Sequence, residues 1–200
     1  MTKQILFTTL CTMASLGLKA QTTNTDEEPS YKVSDYLKDS LVNEAVVMEV
    51  GSGESLSVLG STMTLKLTTA STDNQLGLYE VTLKPKVSGA KLHYHRFMDE
   101  TFVVTQGTLT IQLQDREVEL KAGGIVHIPR FTPHGFYNGT DEEVRAFMIF
   151  NPPQHRENFF RGMQAILSEE PVDASKFLQL YHKYDSHPIN ETDAEKILMR

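Results

Sequence analysis

The sequence predicts an all-β domain, built as an antiparallel β-barrel or β-sandwich, with a helical tail at its C-terminal end. From Ala45 to Phe150 the chain consists of short runs rich in β-branched residues, and glycines separate many of them. Several of these runs alternate apolar and polar residues, which is the period of a half-buried strand. After Asn151-Pro152-Pro153 the apolar residues follow the spacing of an α-helix instead.

Length and composition indicate one globular domain with an ordinary core. The chain has 200 residues, of which 40% are hydrophobic and 22% are charged, and its formal net charge is -7. It contains no basic run, no Gly-rich phosphate-binding loop and no paired-cysteine zinc motif. We therefore expect no nucleic-acid partner, because such partners require a clustered positive surface.

Residues 1–20 have the layout of a secretory signal peptide. Lys3 supplies a positive start, Ile5 to Leu18 is largely apolar without an acid, and Leu18-Lys19-Ala20 precedes a polar stretch. The apolar core is too short to span a membrane as a mature helix. We expect export to the periplasm or the medium, no membrane span, and loss of Cys11, the one cysteine of the chain, with the leader.

The polar residues 21–44 are interpreted as an N-terminal lead-in segment, and residues 45–153 as the β-barrel. Short strands alternate with glycines and turns, and Gln114-Asp115-Arg116 is placed to close a hairpin. A second hairpin turn is predicted at Asn138-Gly139. The predicted strands are Val46–Val50, Ser55–Leu59, Thr62–Thr69, Leu78–Leu83, the β-rich histidine stretch His93–Gly107, Thr108–Leu113 with its return through Val118 and Leu120, Ile125–Ile128, Gly135–Tyr137 and Val144–Phe150.

Residues 154–200 are predicted to form a C-terminal helical extension. Two apolar stripes lie at helical spacing, and we interpret them as packing faces against the barrel. Asp173 is placed to cap the second helix, because its carboxylate can accept from the first backbone amides. The stripes are Phe159, Phe160, Met163, Ile166 and Leu167, then Phe177, Leu178 and Tyr181.

Histidines and one glutamate form the candidate site. His93 and His95 lie one residue apart, so both imidazoles point to the same face of a strand, and Glu100 follows five residues after His95. Two imidazoles and a carboxylate suit first-row divalent metals, although a lone H-x-H can arise by chance. His134, at the start of a later strand, can supply a further nitrogen ligand. The same alternation directs Phe102, Val104 and Phe136 into a mostly apolar pocket.

These residues stand at the spacings of the two motifs of the cupin superfamily, which the sequence resembles over about residues 45–152. His93, His95, Glu100 and Gly107 match the first motif, whereas Gly123, Pro129, His134 and Asn138 match the second. The tail from Phe159 to Tyr184 is similar to that of single-domain cupins related to quercetin 2,3-dioxygenase.

The resemblance implies a double-stranded β-helix, or jelly roll, with one divalent transition metal bound by His93, His95, Glu100 and His134. Iron, manganese, nickel, cobalt, copper and zinc all accept this ligand set. In quercetinase-like cupins the metal promotes reaction of a small aromatic or enolisable substrate with dioxygen. Glu100 would then either leave the metal or take the substrate proton as a catalytic general base. Cupins are often dimers, so a homodimer is one oligomeric state that the resemblance implies. The sequence itself leaves the oligomeric state undecided.

Two positions depart from the family pattern. The glycine that normally lies six positions before the first histidine is Val87, while Gly89 lies four positions before it, and the glycine two positions after Pro129 is Phe131. Both positions are turns, so the departures concern loop shape and leave the ligands intact.

Two other classes of function stay open at the level of sequence. A metal-dependent isomerase or decarboxylase would use the metal as a Lewis acid and would need a second acid or base, for which Glu80 and His127 are the visible candidates. His127 is accordingly included among the pocket candidates. A non-catalytic ligand-binding or metal-binding module is the third class, because a fold hosts many functions.

Overall fold

The computed structural model describes residues 43–190. The predicted signal peptide, nearly all of the lead-in segment and the last ten residues of the predicted extension, residues 191–200, lie outside this range. Eleven strands are present in the described range: β1 (Glu54–Val58), β2 (Ser61–Leu67), β3 (Gly77–Leu83), β4 (Ser88–Tyr94), β5 (Asp99–Gln106), β6 (Thr108–Leu113), β7 (Glu117–Lys121), β8 (Ile125–Ile128), β9 (His134–Tyr137), β10 (Val144–Asn151) and β11 (His187–Pro188).

The strands form two antiparallel sheets, which confirms the predicted all-β class. One sheet has the order β1-β2-β3-β10-β5-β8 and the other has the order β11-β4-β9-β6-β7. The predicted hairpin at residues 114–116 is confirmed, since Ile111 pairs with Val118 and the Leu113 amide donates to the Arg116 carbonyl at 2.8 Å.

Alternating burial along the strands places one apolar core between the sheets. In β3, Tyr79, Val81 and Leu83 are buried while the residues between them are half-buried, and β10 follows the same period. Phe136 from β9 and Met148 from β10 line one common cavity, although they belong to different sheets. The inner faces of both sheets therefore enclose the core.

The run Val46–Val50 is not a strand, so that prediction was wrong. Its β-branched residues are exposed, Val47 to 77% and Val50 completely. The Ser52 amide donates to the Glu49 carbonyl at 3.1 Å, and Gly51 and Gly53 adopt positive φ. High β-propensity cannot form a strand where the chain turns and no neighbouring strand is paired with it.

Asn138-Gly139 is not a hairpin turn either, because β9 and β10 belong to different sheets. Asn138 is buried, and its side-chain Nδ2 donates to the carbonyls of Leu83, Lys84 and Glu142 at 2.7 to 3.2 Å. Its Oδ1 accepts from the Thr140 amide at 2.9 Å. Asn138 thus stabilises a crossover between sheets, which a local Asn-Gly pattern does not distinguish from a hairpin.

The predicted helices are confirmed as α1 (Arg156–Leu167) and α2 (Ala174–Lys183). The predicted cap is also confirmed, since the Asp173 side chain accepts from the Ser175 amide. The apolar face of α1 packs on the barrel, with the Phe160 ring 5.2 Å from the Tyr79 ring between centroids, and Phe159 contacts Tyr181 of α2 at 5.1 Å. Neither helix of the described range has the length and apolarity needed to cross a membrane.

Candidate metal centre

The four predicted ligands come from three strands that meet in the core. His93 in β4 and His134 in β9 are direct cross-strand partners, so their side chains share one face of the sheet. His95 directly follows β4, and its side chain points to the same side as that of His93 because two residues separate them. Glu100 lies near the start of β5 in the opposite sheet. The structure brings all four residues together.

The ligand atoms of this cluster are close and shielded from solvent. One nitrogen or oxygen from each of His93, His95, Glu100 and His134 lies within 4.8 Å of every other. The four residues are 1% to 3% exposed. Buried polar atoms need either a hydrogen-bond partner or a metal ion. Such a group could therefore bind a metal ion.

Backbone carbonyls fix the orientation of each imidazole. Nδ1 of His93 donates to the Lys91 carbonyl and Nδ1 of His134 to the Thr132 carbonyl, both at 2.8 Å. Nδ1 of His95 donates to the carbonyl of Asp185. A carbonyl only accepts, so Nδ1 carries the proton in each ring. A neutral ring then presents the lone pair of Nε2 to the centre of the cluster.

The carboxylate of Glu100 supports a cation at this centre. Its Oε2 lies 2.8 Å from Nε2 of His134 and 3.3 Å from Nε2 of His95, so lone pairs face each other unless a proton or a metal lies between them. Two ligand atoms bound at right angles to one metal, each at about 2.1 Å, lie about 3 Å apart. Oε1 of Glu100 is buried and has no hydrogen-bond partner among the described residues. The residues therefore fit a metal ion.

The pKa values of three of the four candidate ligands are shifted toward the forms that metals bind. Burial lowers the pKa of His93 well below its usual value, and the neighbouring His134 and His95 lower it further. Burial also lowers the pKa of His95. For Glu100, burial alone would raise the pKa, but the interactions with His134 and His95 in the metal-free protein outweigh burial and hold the pKa far below the usual range. Neutral imidazoles and an ionised carboxylate are the binding forms.

The two departures from the family pattern have structural explanations. Phe131 adopts φ +64, the left-handed conformation that glycine usually supplies, and its amide donates to the His95 carbonyl at 2.7 Å. A side chain at Gly89 would place Cβ 1.9 Å from Cε2 of Phe136. The glycine at position 89 thus allows a close approach of the Phe136 ring. Val87 is not among the residues with positive φ, so its backbone does not require glycine.

The pocket candidates divide into a lining residue and residues buried beside it. Phe136 lines a cavity of about 40 Å³ together with His93 and Glu100. Phe102 and Val104 are buried in the core as expected, and the Phe102 ring lies 4.9 Å from the Phe136 ring. The cluster therefore opens onto a small apolar cavity.

The structure does not bring His127 or Glu80 to this cluster. His127 is exposed, and its Nδ1 lies 2.8 Å from Oγ1 of Thr101, which points away from the core because it follows the inward Glu100. Glu80 alternates with the buried Tyr79 and Val81, and its Oε2 lies 3.4 Å from Nζ of Lys66. His127 is corrected from a pocket candidate to a surface residue.

Arg156, which the sequence reasoning did not single out, lines the same cavity as His93 and Glu100. Its side chain is buried although it stands at the start of α1. A signal was present in the sequence, because Arg156 precedes Phe159 and Phe160 by three and four residues and therefore shares their buried face.

Asp185 is a second residue that the sequence did not reveal, and it connects the tail to the cluster. Its carboxylate accepts from the amides of Arg96 and Phe97 at 2.9 and 2.8 Å, and its carbonyl accepts from His95. The carboxylate therefore holds the turn that follows His95. No pattern near residue 185 indicates this contact, since Arg96 is 89 positions away in the chain.

We expect Asp185→Asn to weaken both folding and metal binding. The asparagine tolerates the left-handed backbone at this position (φ +57), but its NH₂ group would oppose one of the two donor amides. The free energy of unfolding of the metal-free protein should fall by about 1–3 kcal/mol in urea. Metal affinity, measured by competition with a chelator, should fall roughly tenfold to a hundredfold, as for other groups that orient ligands.

Asp141→Asn is the matched control, because the Asp141 side chain is 91% exposed and pairs with Lys86 at the surface. It should change neither quantity appreciably. An unchanged metal affinity in Asp185→Asn would show that the tail does not orient His95.

One protein-family model matches the part of the chain that contains the ligand cluster. Residues 79–150 match the model described as a cupin domain. No curated protein matches the chain.

Solved structures of similar shape include several cupins. A sugar phosphate isomerase of the cupin superfamily from Silicibacter pomeroyi is 26% identical, with a TM-score of 0.43, and the match covers 46% of this chain and 59% of that protein. A predicted oxalate decarboxylase from Thermotoga maritima is 19% identical, with a TM-score of 0.48, and the match covers 54% and 98% of the two chains. An RmlC-like cupin from Shewanella frigidimarina is 15% identical, with a TM-score of 0.48 and coverage of 57% and 96%.

The match to the family model begins in β3, ends in β10 and includes both histidine motifs. The segment that matches the cupin-domain model therefore contains all four candidate metal ligands.

Proposed function

We propose that this protein is a metal-dependent dioxygenase that acts on a small aromatic or enolisable molecule. The observation that carries the proposal is the position of the cluster: three imidazole nitrogens and one carboxylate converge, and two of these ligands line an apolar cavity. A structural metal site is closed on all sides, whereas a catalytic site keeps a position open toward its substrate. The resemblance of the tail to quercetinase-like cupins adds the reaction class.

The residues of the chain have separable roles in this proposal. His93, His95, Glu100 and His134 would hold the metal, which would supply Lewis acidity and, if redox-active, electron transfer to dioxygen. Phe136 and Phe160 would exclude water from the cavity that they line. Glu100 would serve as a ligand, because its carboxylate converges with the three imidazoles and also lines the cavity.

The cavity limits the size of the substrate. Its volume of about 40 Å³ is small beside the roughly 300–1,000 Å³ of typical ligand pockets. A compact diketone therefore fits with less displacement of α1 than a flavonol does. Tyr181 also lines the cavity, and burial raises the pKa of its hydroxyl to about 12, so the hydroxyl stays protonated.

A metal-dependent isomerase or decarboxylase is supported less well. Both of the groups that could have served as its second acid or base, Glu80 and His127, lie outside the cavity. Glu100 is the one carboxylate among the described residues that line it. An isomerisation that moves a proton between two carbons would need a second acid or base beside this ligand.

Oxygen uptake by the metal-loaded protein tests the proposal. Protein purified without an affinity metal column should contain a transition metal by elemental analysis. It should consume oxygen with at least one member of a panel of diketones, catechols and flavonols, with the smallest and most acidic members reacting fastest. A bound metal without turnover would favour a non-catalytic module, whereas substrate conversion without oxygen consumption would favour the isomerase or decarboxylase.

A further inference from the structure

We propose that Arg156 binds the anionic oxygen of the substrate, so that the site selects carboxylates and enolates over neutral molecules of the same size. The inference rests on the proposed function, because it takes the neighbouring cluster to hold a divalent metal. It adds the substrate class, and it assigns a binding role to the C-terminal tail, whose other role is to pack against the barrel. The observation that carries the inference is that the buried guanidinium of Arg156 lines the same cavity as the ligand cluster.

The guanidinium is held in place but is not saturated. Its Nη1 donates to the Tyr184 carbonyl at 3.1 Å and to Oγ of Ser186 at 2.8 Å. Its Nε is buried and has no hydrogen-bond partner among the described residues, and Arg156 as a whole is 4% exposed. A buried donor without a partner costs free energy, so an acceptor that enters the cavity would relieve this cost.

Aromatic rings fix the plane of the guanidinium as well. Cζ of Arg156 lies 3.8 Å from the ring centroid of Phe159, 4.9 Å from that of Phe150 and 5.4 Å from that of Phe160. These contacts stabilise a cation but satisfy none of its hydrogen bonds. Arginine held in this way is preorganised for an oxyanion, because less side-chain entropy is lost when the ligand binds.

Charge balance points to the same class of ligand. Glu100 is the one acidic residue among the described residues that line the cavity, whereas Arg156 and a divalent metal would both be cationic, and the histidines bind as neutral rings. The cavity with metal would therefore carry excess positive charge in an apolar surrounding. A bound anion compensates that charge, and a neutral molecule of equal size does not.

A purely structural role is the competing explanation. Two hydrogen bonds from Nη1 join α1 to the segment after α2, and this function alone would account for an arginine at position 156. The two explanations differ in whether anion binding depends on Arg156, because the metal alone would also attract an anion.

The test compares formate with formamide, two probes of similar size of which one is an anion, by isothermal titration calorimetry on metal-loaded protein. The wild-type protein should bind formate and not formamide. Arg156→Gln should retain its metal by elemental analysis but lose formate affinity roughly tenfold or more, the loss expected for one charge-assisted hydrogen bond. Arg156→Lys should recover part of the affinity because it restores the charge.

Arg161→Gln is the matched control, since Arg161 lies on the same helix but pairs at the surface with Glu54. It should bind formate as the wild type does. Formate binding by Arg156→Gln at wild-type affinity, or equal binding of formate and formamide by the wild type, would overturn the inference. If Arg156→Gln does not fold, Arg156→Lys decides, because its formate affinity should be lower than that of the wild type under the inference and equal to it if the arginine is purely structural. Absence of metal from the wild type would instead contradict the proposed function, and elemental analysis reports this separately.

Discussion

Replacing His134 by alanine should remove the metal from the protein. The substitution takes away one of three imidazole ligands and also the hydrogen-bonding partner that lies 2.8 Å from Oε2 of Glu100. The remaining ligands would leave the buried carboxylate with weaker compensation, so both metal affinity and the stability of the metal-free protein should fall. Elemental analysis of the folded variant, with folding checked by circular dichroism, should find occupancy near zero.

His127→Ala is the control for this experiment because it removes a histidine from the neighbourhood without touching the cluster. His127 is exposed, and its one side-chain contact among the described hydrogen bonds is to Thr101. This variant should keep its metal. Full occupancy in His134→Ala would refute the ligand assignment, and loss of metal from His127→Ala would show that occupancy responds to something other than the four ligands.

The repeating features of the sequence predicted the fold and the composition of the cluster. Alternation of apolar residues is a local property, so it identified those strands between β1 and β10 in which apolar and polar residues alternate. It also predicted that Phe102, Val104 and Phe136 point inward. The spacing of His93, His95, Glu100 and His134 was informative for the same reason. Strand period and turn length determine where such side chains point, and the structure brings them together.

The wrong predictions concern segments whose structure depends on a pairing partner far away in the chain. Val46–Val50 has the composition of a strand, but a strand also requires a neighbour with free backbone groups. Asn138-Gly139 has the composition of a hairpin turn, yet β9 and β10 continue into different sheets. Single-sequence patterns contain no information on pairing between distant segments, so both predictions failed for one reason.

Arg156 and Asp185 were missed for a related reason. A charged residue in the first turn of a helix usually lies in solvent, and only the position of Arg156 on the apolar stripe indicated burial. Asp185 acts through contacts with Arg96, Phe97 and His95, none of which is near it in sequence. Residues that orient the ligands of a site, or contribute charge to it, from a distant segment can therefore be identified only from the structure.

Gly89→Ala should destabilise the protein strongly for a substitution that adds one methyl group. The new Cβ would lie 1.9 Å from Cε2 and 2.4 Å from Cδ2 of Phe136, and that ring is buried against Phe102. Either the ring or β4 has to move, at a cost of about 1–3 kcal/mol in the free energy of unfolding. Thermal unfolding should show a midpoint that is lower by several degrees.

A double-mutant cycle with Phe136→Leu tests whether the ring is the cause. The shorter side chain removes the atoms that meet the added Cβ, so Gly89→Ala should cost much less in the Phe136→Leu background, with a coupling energy of about 1–3 kcal/mol. Gly139→Ala provides a comparison at the surface, because its Cβ would meet Tyr137 at 3.0 Å, and its cost should stay within about 0.5 kcal/mol. An equal cost of Gly89→Ala in both backgrounds would mean that the close approach of Phe136 is not the reason for glycine at position 89. The reason would then lie in the backbone of β4, and the wall that Phe136 forms beside His93 and Glu100 would tolerate a larger neighbour.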